Sequence, residues 1–327
     1  MGSLPAELVE DFQGILQVYS DGSTFRSQDI DFTNIFPFHN HEEDESVAWK
    51  DCRFDKTHDL NLRLYKPRPT PLANSKPLPI VIFFHGGGFC VGSRTWPNCH
   101  SFCLRLSSAL PALIVSPDYR LAPEHRLPAA MDDAMLALTW LRTQSDEWLD
   151  EREADFGNVF IVGDSSGGNI AHQMAVRLKE GSPELEPIRV RGYVLIAPFF
   201  GGTVKTKSEA EGPPEELLTM DILDRFWSLS LPKGCTPDHP MANPFGPFST
   251  DLQKVALDPI LVIVGGCELL KDRVEDYAKR LKKIGKSIEY YEFEGKQHGF
   301  FTNYPYSDVS AKVLQLLQNF ISHYSGK

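Results

Sequence analysis

The apolar positions along the chain predict strands that alternate with helices. Continuous apolar runs at residues 78–84, 159–162 and 260–264 are typical of strands buried on both faces. Alternating or β-branched patterns predict further strands at residues 46–51, 60–65, 112–116, 190–197 and 287–293. Helical periodicity is found at residues 98–108, 129–142, 169–179, 272–284 and 310–323. This order predicts an α/β fold with a mainly parallel central sheet flanked by helices.

Residues 1–45 and 203–257 do not follow that order. The first segment has a short amphipathic stretch at 8–16 and an acidic run at 42–45, and the second has one clear helix at 217–231 between stretches rich in proline and glycine. Long connections inside a compact domain are usually either functional lids or disordered segments. A length of 327 residues allows two domains, but α/β folds often exceed about 250 residues in one. We therefore expect one domain over residues 1–327, with an N-terminal and an inserted cap.

Charge and hydropathy exclude several classes of partner. The chain carries 33 Lys+Arg against 44 Asp+Glu, a formal net charge of −11, which disfavours binding to nucleic acid. No run reaches the roughly 18 apolar residues of a membrane span, and the N-terminus has neither a basic nor an apolar signal region. We expect no membrane partner. We expect a cytoplasmic location, with the nucleus as a second possible location.

The cysteines give no sign of a metal site. The chain has six, and none is in a CxxC or a Cys/His zinc spacing. Cys99 and Cys103 are four residues apart on a predicted helix, where core thiols explain them better than metal ligands. We expect no disulfide, no metal and no cofactor.

A candidate nucleophile follows the strand at 159–162. The run Gly163-Asp164-Ser165-Ser166-Gly167 fits G-x-S-x-G and directly precedes a predicted helix. Such a turn needs small residues beside the nucleophile, and it lifts the serine oxygen to the end of the sheet. The alternative is a glycine-rich turn with Ser165 as an ordinary helix cap. Ser166 is a rival nucleophile, but its flanking positions break the pattern.

A glycine-rich loop follows the strand at 78–84. The residues His85-Gly86-Gly87-Gly88 leave backbone N–H groups uncovered by side chains, as a developing oxyanion requires. A phosphate-binding loop is the alternative, but the G-x-G-x-x-G and GK[ST] patterns are missing here. We expect this loop to supply oxyanion donors, with His85 in a structural role.

A serine nucleophile needs a base and an acid in later loops. His298 fits the base because it lies between the last predicted strand and the last helix, whereas other histidines fit helix, loop or surface positions. The orienting acid should follow the strand at 260–264, where Glu268 and Asp272 both stand. We prefer Glu268, because Asp272 also suits the first turn of a helix.

Apolar residues that follow the same strand ends suggest a binding pocket. The candidates are Phe89, Cys90, Val91, Phe199, Phe200, Phe300 and Phe301. Aromatic residues at strand ends can also belong to the core, so each has a purely structural alternative. No cluster of Arg or Lys is found among these segments, so we expect an uncharged, largely apolar small molecule.

From about residue 81 to residue 298 the sequence resembles a plant carboxylesterase of the hormone-sensitive-lipase-like branch of the α/β-hydrolases. The motifs are VIFFHGGGFCVGS, SPDYRLAPEHRLPAAMDDA, VGDSSGGNIAH and KQHGF. The resemblance implies the α/β-hydrolase fold, Ser165 as nucleophile, His298 as base, and an oxyanion hole from the N–H groups of Gly87, Gly88 and Ser166. It also implies that the SPDYRLAPEH stretch braces the nucleophile turn. The family usually has Asp in D-x-L-x-D where this chain has Glu268-Leu269-Leu270-Lys271-Asp272.

The glutamate and its surroundings are similar to the plant carboxylesterases that degrade strigolactones. PFFGG at 198–202, the helix around 222–227 and ANPFGP at 242–247 carry this closer resemblance. It implies an apolar ester or lactone substrate that is attacked at a butenolide carbonyl. We expect a monomer or a weak homodimer. A broad-specificity detoxifying carboxylesterase is the main alternative. A gibberellin receptor is a weaker one because such receptors lack the catalytic histidine, and a related dehydratase has threonine at the nucleophile position.

Overall fold

The computed structural model describes residues 6–32, 44–68, 76–143, 146–215 and 218–326. Their strands are β1 Leu8–Phe12, β2 Leu16–Tyr19, β3 Thr24–Arg26, β4 Val47–Asp55, β5 Leu60–Pro67, β6 Leu78–Phe84, β7 Leu113–Pro117, β8 Ala154–Asp164, β9 Val190–Ile196, β10 Ile260–Gly265 and β11 Ile288–Phe293. Their α-helices are α1 Pro97–Ala109, α2 Ala129–Arg142, α3 Ser166–Leu178, α4 Lys207–Glu211, α5 Met220–Ser230, α6 Lys271–Lys283 and α7 Asp308–Tyr324.

An eight-stranded sheet forms the centre of the fold, in the order β11-β10-β9-β8-β6-β7-β5-β4. Neighbours from β11 to β7 are parallel, and β5 is antiparallel to both β7 and β4. Two apolar clusters cover its faces, so the central strands are buried on both sides, as their continuous apolar runs indicate. The prediction of an α/β fold with a mainly parallel sheet is confirmed.

The strand β8 is longer than its apolar run predicts. It begins at Ala154 rather than Val159, because Ala154 and Asp155 pair with Leu78 and Pro79 of β6 before a register shift. Its other end lies between the ends of β6 and β9, which run parallel to it. The loops that follow these parallel strands therefore meet at one edge of the sheet.

The N-terminal segment forms a small antiparallel sheet of its own, in the order β1-β2-β3. It contacts the main body through Arg26, which forms an ion pair with Glu124 at 2.7 Å and donates to the carbonyl of Cys90 at 2.7 Å. Phe12 packs against Phe226 of α5, with ring centroids 5.0 Å apart. Residues 1–5 and 33–43 of the expected N-terminal cap, with part of its acidic run, lie outside the described residues.

The inserted segment contributes α5 beside this N-terminal sheet and α4 beside the start of α6. Thr219 caps α5 by accepting a hydrogen bond from the backbone N–H of Ile222. The helix ends at Ser230, within a residue of the expected end at 231, and residue 217 of the expected start lies outside the described part. In the described ranges, no helix has both the length and the apolar character needed to cross a membrane.

Candidate active site

Ser165 occupies a strained turn between β8 and α3. Its φ of 54° and ψ of −114° lie in a region that L-residues rarely adopt. Cβ atoms at Gly163 and Gly167 would each lie 2.0 Å from a backbone oxygen, so only glycine fits at either position. The two fixed glycines of the motif thus allow the close crossing that raises Ser165 above the strand end.

The glycine-rich loop after β6 lies directly against this turn. A Cβ at Gly86 would be 3.2 Å from the Cβ of Ser165, while Gly87 and Gly88 line the same cavity as the serine. Ser166 is the first residue of α3, where a backbone N–H has no acceptor within its own helix. The three N–H groups implied by the resemblance therefore belong to two segments that meet at Ser165.

Tyr119, from the SPDYRLAPEH stretch, joins these two segments. Its hydroxyl donates to the carbonyl of His85 at 2.9 Å and lies 3.2 Å from Ser166 Oγ. The His85 ring stacks on Tyr119 with centroids 4.3 Å apart, and its Nδ1 lies 2.7 Å from the carbonyl oxygen of Gly86. Both side chains are buried and fix the shape of the glycine loop, in line with the structural role expected of His85.

The loop after β11 brings His298 to Ser165. Nε2 of His298 lies 3.0 Å from Ser165 Oγ, which is hydrogen-bond distance. On the other side of the ring, Nδ1 lies 3.5 Å from Oε2 of Glu268, a residue that is 2% exposed. Among the described residues, neither His298 Nδ1 nor the two Glu268 oxygens has a hydrogen-bond partner, so the two groups are available to each other.

Asp272, the alternative acid, has a different environment. Its Oδ2 accepts a hydrogen bond from the backbone N–H of Ser208 at 2.7 Å, and its own N–H donates to Ser208 Oγ at 3.3 Å. The residue therefore joins the start of α6 to α4, whereas Glu268 faces the imidazole. The structure thus brings Ser165, His298 and Glu268 into one row, which can move a proton from a serine to a histidine steadied by a carboxylate.

Carboxylates set the electrostatics of this row. Burial lowers the pKa of His298, but the facing carboxylates of Glu268, Asp164 and Glu215 outweigh it and raise that pKa to about 9. Burial raises the pKa of Asp164 to about 6, against the effect of the nearby His298. The imidazolium that forms when the ring accepts a proton is therefore stabilised by its surroundings.

Glu215 takes part in the site although no sequence motif indicates it. This residue of the inserted segment is 7% exposed, and its carboxylate accepts a hydrogen bond from the backbone N–H of His298 at 2.8 Å. Burial raises its pKa, while His298 and the hydrogen bonds it accepts oppose that shift. The sequence around it, Gly-Pro-Pro-Glu-Glu, indicates an irregular segment but not which glutamate turns inward.

A cavity of about 410 Å³ opens above Ser165 and His298. Its outer wall comes from the N-terminal sheet and from α5, and its apolar members there are Phe12, Ile15, Leu218, Ile222 and Phe226. A Cβ at Gly88 would lie 2.0 Å from the Phe226 ring, so the glycine loop and α5 touch closely. Both segments that depart from the strand–helix order, residues 1–45 and 203–257, therefore contribute described residues to this wall.

Of the expected pocket residues, Val91 and Phe199 line the cavity. The other five are buried in the core and do not line the described cavity: Phe89, Cys90, Phe200, Phe300 and Phe301. They turn toward neighbouring layers, as the ring contacts Phe300–Phe293 and Phe301–Phe102 show, each at 5.3 Å between centroids. This corrects the expectation for those five residues, and side chains of the N-terminal and inserted segments take their place in the lining.

No group of three or more His, Cys, Asp or Glu side chains within the described ranges is arranged to hold a metal ion. The six cysteines, all in described segments, are free thiols.

Comparison with known proteins agrees with this architecture. The alpha/beta hydrolase fold family matches residues 81–302. Carboxylesterase 20 of Arabidopsis thaliana is 39% identical over 256 residues, which are 76% of this chain and 78% of that protein. A gibberellin receptor of Arabidopsis thaliana is 35% identical over 280 residues, 82% of this chain and 76% of the receptor. The structure of an esterase from Pyrobaculum calidifontis matches with a TM-score of 0.70 and 31% identity, over 86% of each chain.

The chain therefore belongs to the alpha/beta hydrolase fold family. Its relatives include plant carboxylesterases in sequence and esterases in structure, and it is a carboxylic ester hydrolase related to the plant carboxylesterases. The resemblance to that group, inferred from the four motifs, is confirmed at this level.

Proposed function

We propose that the protein is a serine carboxylesterase in which Ser165 is the nucleophile, His298 the base and Glu268 the orienting acid. The observation that carries this proposal is the 3.0 Å contact between Ser165 Oγ and His298 Nε2 at the floor of a mostly apolar cavity. The backbone N–H groups of Gly87, Gly88 and Ser166 complete the site as the oxyanion hole.

The proposed reaction is acyl transfer in two steps. His298 takes the proton of Ser165 as Oγ bonds to the ester carbonyl carbon. The oxyanion that forms accepts hydrogen bonds from the three backbone N–H groups. When the tetrahedral intermediate collapses, the C=O bond re-forms, the bond between that carbon and the leaving alkoxy oxygen breaks, and His298 gives its proton to the leaving oxygen. Water, deprotonated by His298, then attacks the acyl carbon. The bond from that carbon to Oγ breaks, His298 returns the proton to Oγ, and the acid leaves free Ser165. No cofactor takes part.

We assign a strigolactone as the substrate, hydrolysed at its butenolide ring and thereby inactivated. The support is the resemblance of the Glu268 region to the strigolactone-degrading carboxylesterases, together with a cavity of about 410 Å³ whose lining is mostly apolar. Such a volume suits a small organic ligand, for which pockets of about 300–1,000 Å³ are usual. Arg225, a cation in the described lining, is already paired with Glu10 and Asp221, which fits an uncharged ligand.

We further propose that residues 1–45 and 203–257 together form the cap over this substrate. Phe12 and Phe226 support this role, because each lines the cavity and the two rings touch. A cap of this kind excludes water from the reacting carbonyl until the substrate is in place. The assignment rests on the segments' described residues.

The test is to incubate the protein with a strigolactone and to follow loss of the hormone and release of the butenolide fragment by mass spectrometry. Ser165→Ala protein and a nitrophenyl ester serve as controls. We expect many turnovers by the wild type and a loss of about 10⁴-fold or more in kcat for Ser165→Ala. Cleavage of the nitrophenyl ester with survival of the hormone would instead indicate a broad-specificity carboxylesterase. Binding of a hormone without turnover of either compound would indicate a receptor.

A further inference from the structure

Glu215 is bonded to both of the loops that carry the proposed acid and base. One carboxylate oxygen accepts the backbone N–H of Leu269, the residue that follows Glu268. The other oxygen accepts the backbone N–H of His298 at 2.8 Å. Because the side chain is almost completely buried, these hydrogen bonds replace the water that the carboxylate loses on folding.

Neighbouring contacts strengthen this connection. The side-chain amide of Gln297 donates to the carbonyl of Pro214 at 3.0 Å, and Ser208 Oγ donates to the carbonyl of Leu269 at 2.6 Å. The inserted segment is therefore hydrogen-bonded to the acid loop and to the base loop at several points. Five residues after Glu215, α5 begins and forms part of the cavity wall.

A carboxylate is the group that this position requires. Two backbone N–H donors from different loops converge on it, and a carboxylate presents an acceptor oxygen to each. A glutamine of the same size has one oxygen and one NH₂ group, so one of the two N–H donors would face another donor. The mismatch would push one loop away from the other, since a buried unpaired donor is costly.

We propose that Glu215 is a positioning residue, which holds the backbones of Glu268 and His298 at the separation that proton transfer requires and ties both to the α5 wall of the cavity. The proposal rests on the proposed function, because it assigns Glu215 to the same site. Glu215 acts through the two loops rather than on the ester itself. This role explains how two loops that follow different strands keep fixed positions relative to each other and to the inserted segment.

The negative charge of Glu215 gives the proposal a second readout. Three carboxylates face the imidazole from three different segments: Glu268 after β10, Asp164 at the end of β8, and Glu215 from the insertion. Each raises the pKa of His298, and His298 and Glu268 in turn face Glu215. Since a base must be neutral to accept a proton, loss of one carboxylate should move the acid limb of the pH profile to lower pH.

The experiment compares Glu215→Gln with Glu211→Gln, a matched change at an exposed position of the same segment. kcat and KM for a nitrophenyl ester, the pH profile of kcat/KM and the thermal midpoint are measured for both variants and the wild type. We expect Glu215→Gln to lower kcat about 10- to 100-fold, the usual effect of a displacement of roughly 1 Å, with KM changed less than about threefold. The acid limb should also move to lower pH. Glu211→Gln should match the wild type.

Several outcomes would overturn the positioning role. A Glu215→Gln variant with wild-type kcat would do so, as would a fall in the thermal midpoint with no change in kcat or in the pH limb. If Glu215→Gln does not fold, Glu215→Asp takes its place, since the shorter side chain can satisfy only one loop, and an unchanged kcat for it would again refute the role. Ser165→Ala is measured in parallel: if it retains wild-type turnover, the proposed function itself fails, whereas an inactive Ser165→Ala beside a fully active Glu215→Gln removes only the role of Glu215.

Discussion

Replacing Glu268 by glutamine should abolish most of the activity while leaving the fold intact. The carboxylate lies 3.5 Å from Nδ1 of His298, and both groups are largely buried. At an effective dielectric constant of about 20, two unit charges at that distance interact by about 5 kcal/mol. This interaction stabilises the imidazolium that forms in the transition state, and its loss corresponds to a fall in kcat/KM of about 10³- to 10⁴-fold. Steady-state hydrolysis of a nitrophenyl ester measures the effect.

Asp272→Asn is the matched control for that experiment. Asp272 accepts a hydrogen bond from the backbone of Ser208 and does not face the imidazole, so its substitution should cost about 1–2 kcal/mol of unfolding free energy and less than about threefold in kcat. Chemical denaturation measures the first quantity. The assignment of the acid is refuted if Glu268→Gln keeps its rate within tenfold of the wild type while Asp272→Asn loses activity.

Two further changes test the electrostatics and the cap. Asp164→Asn removes a carboxylate that raises the pKa of His298, so the ring becomes neutral at lower pH. The acid limb of the pH profile of kcat/KM should therefore move to lower pH. An unchanged limb would mean that Asp164 does not affect the pKa of His298. Phe12→Ala removes a ring that lines the cavity and packs on Phe226, so it should raise KM about 3- to 30-fold with little change in kcat. The control is Phe25→Ala, at an exposed position of the same small sheet, which should change neither KM nor kcat. Equal KM values for both phenylalanine variants would count against a substrate-contacting role for Phe12.

The sequence predicts the parts of this structure that local chemistry determines. The main-sheet strands have continuous apolar runs or alternating apolar patterns, and the turn at Ser165 needs glycine at positions 163 and 167 because backbone atoms pass close to both. The order of strands and helices then places His298 and Glu268 at the same edge of the sheet as Ser165. The order of strands and helices and the glycine motif at Ser165 thus indicate the same edge of the sheet as the site.

Contacts between irregular segments could not be predicted in this way. Glu215 meets His298 across 83 positions of sequence, and no periodicity shows which glutamate of an extended segment turns inward. The same reason explains the cavity wall. Phe300 and Phe301 follow His298 in sequence, but their rings enter the core, while Phe12 reaches the cavity from a small sheet far away in the chain. Side-chain direction in a loop depends on what packs over it.

The acidic surroundings of His298 also bear on how the reaction products leave. A neutral ester meets little electrostatic resistance as it enters, but hydrolysis converts it to an acid that ionises at neutral pH. That new anion lies among Asp164, Asp11 and Asp221 of the described lining, and the charge of Arg225 is already taken up by Glu10 and Asp221. Like charges in a partly enclosed space repel strongly. These carboxylates should therefore oppose the attraction between the acidic product and the His298 ring, which favours release of the product before the next substrate binds.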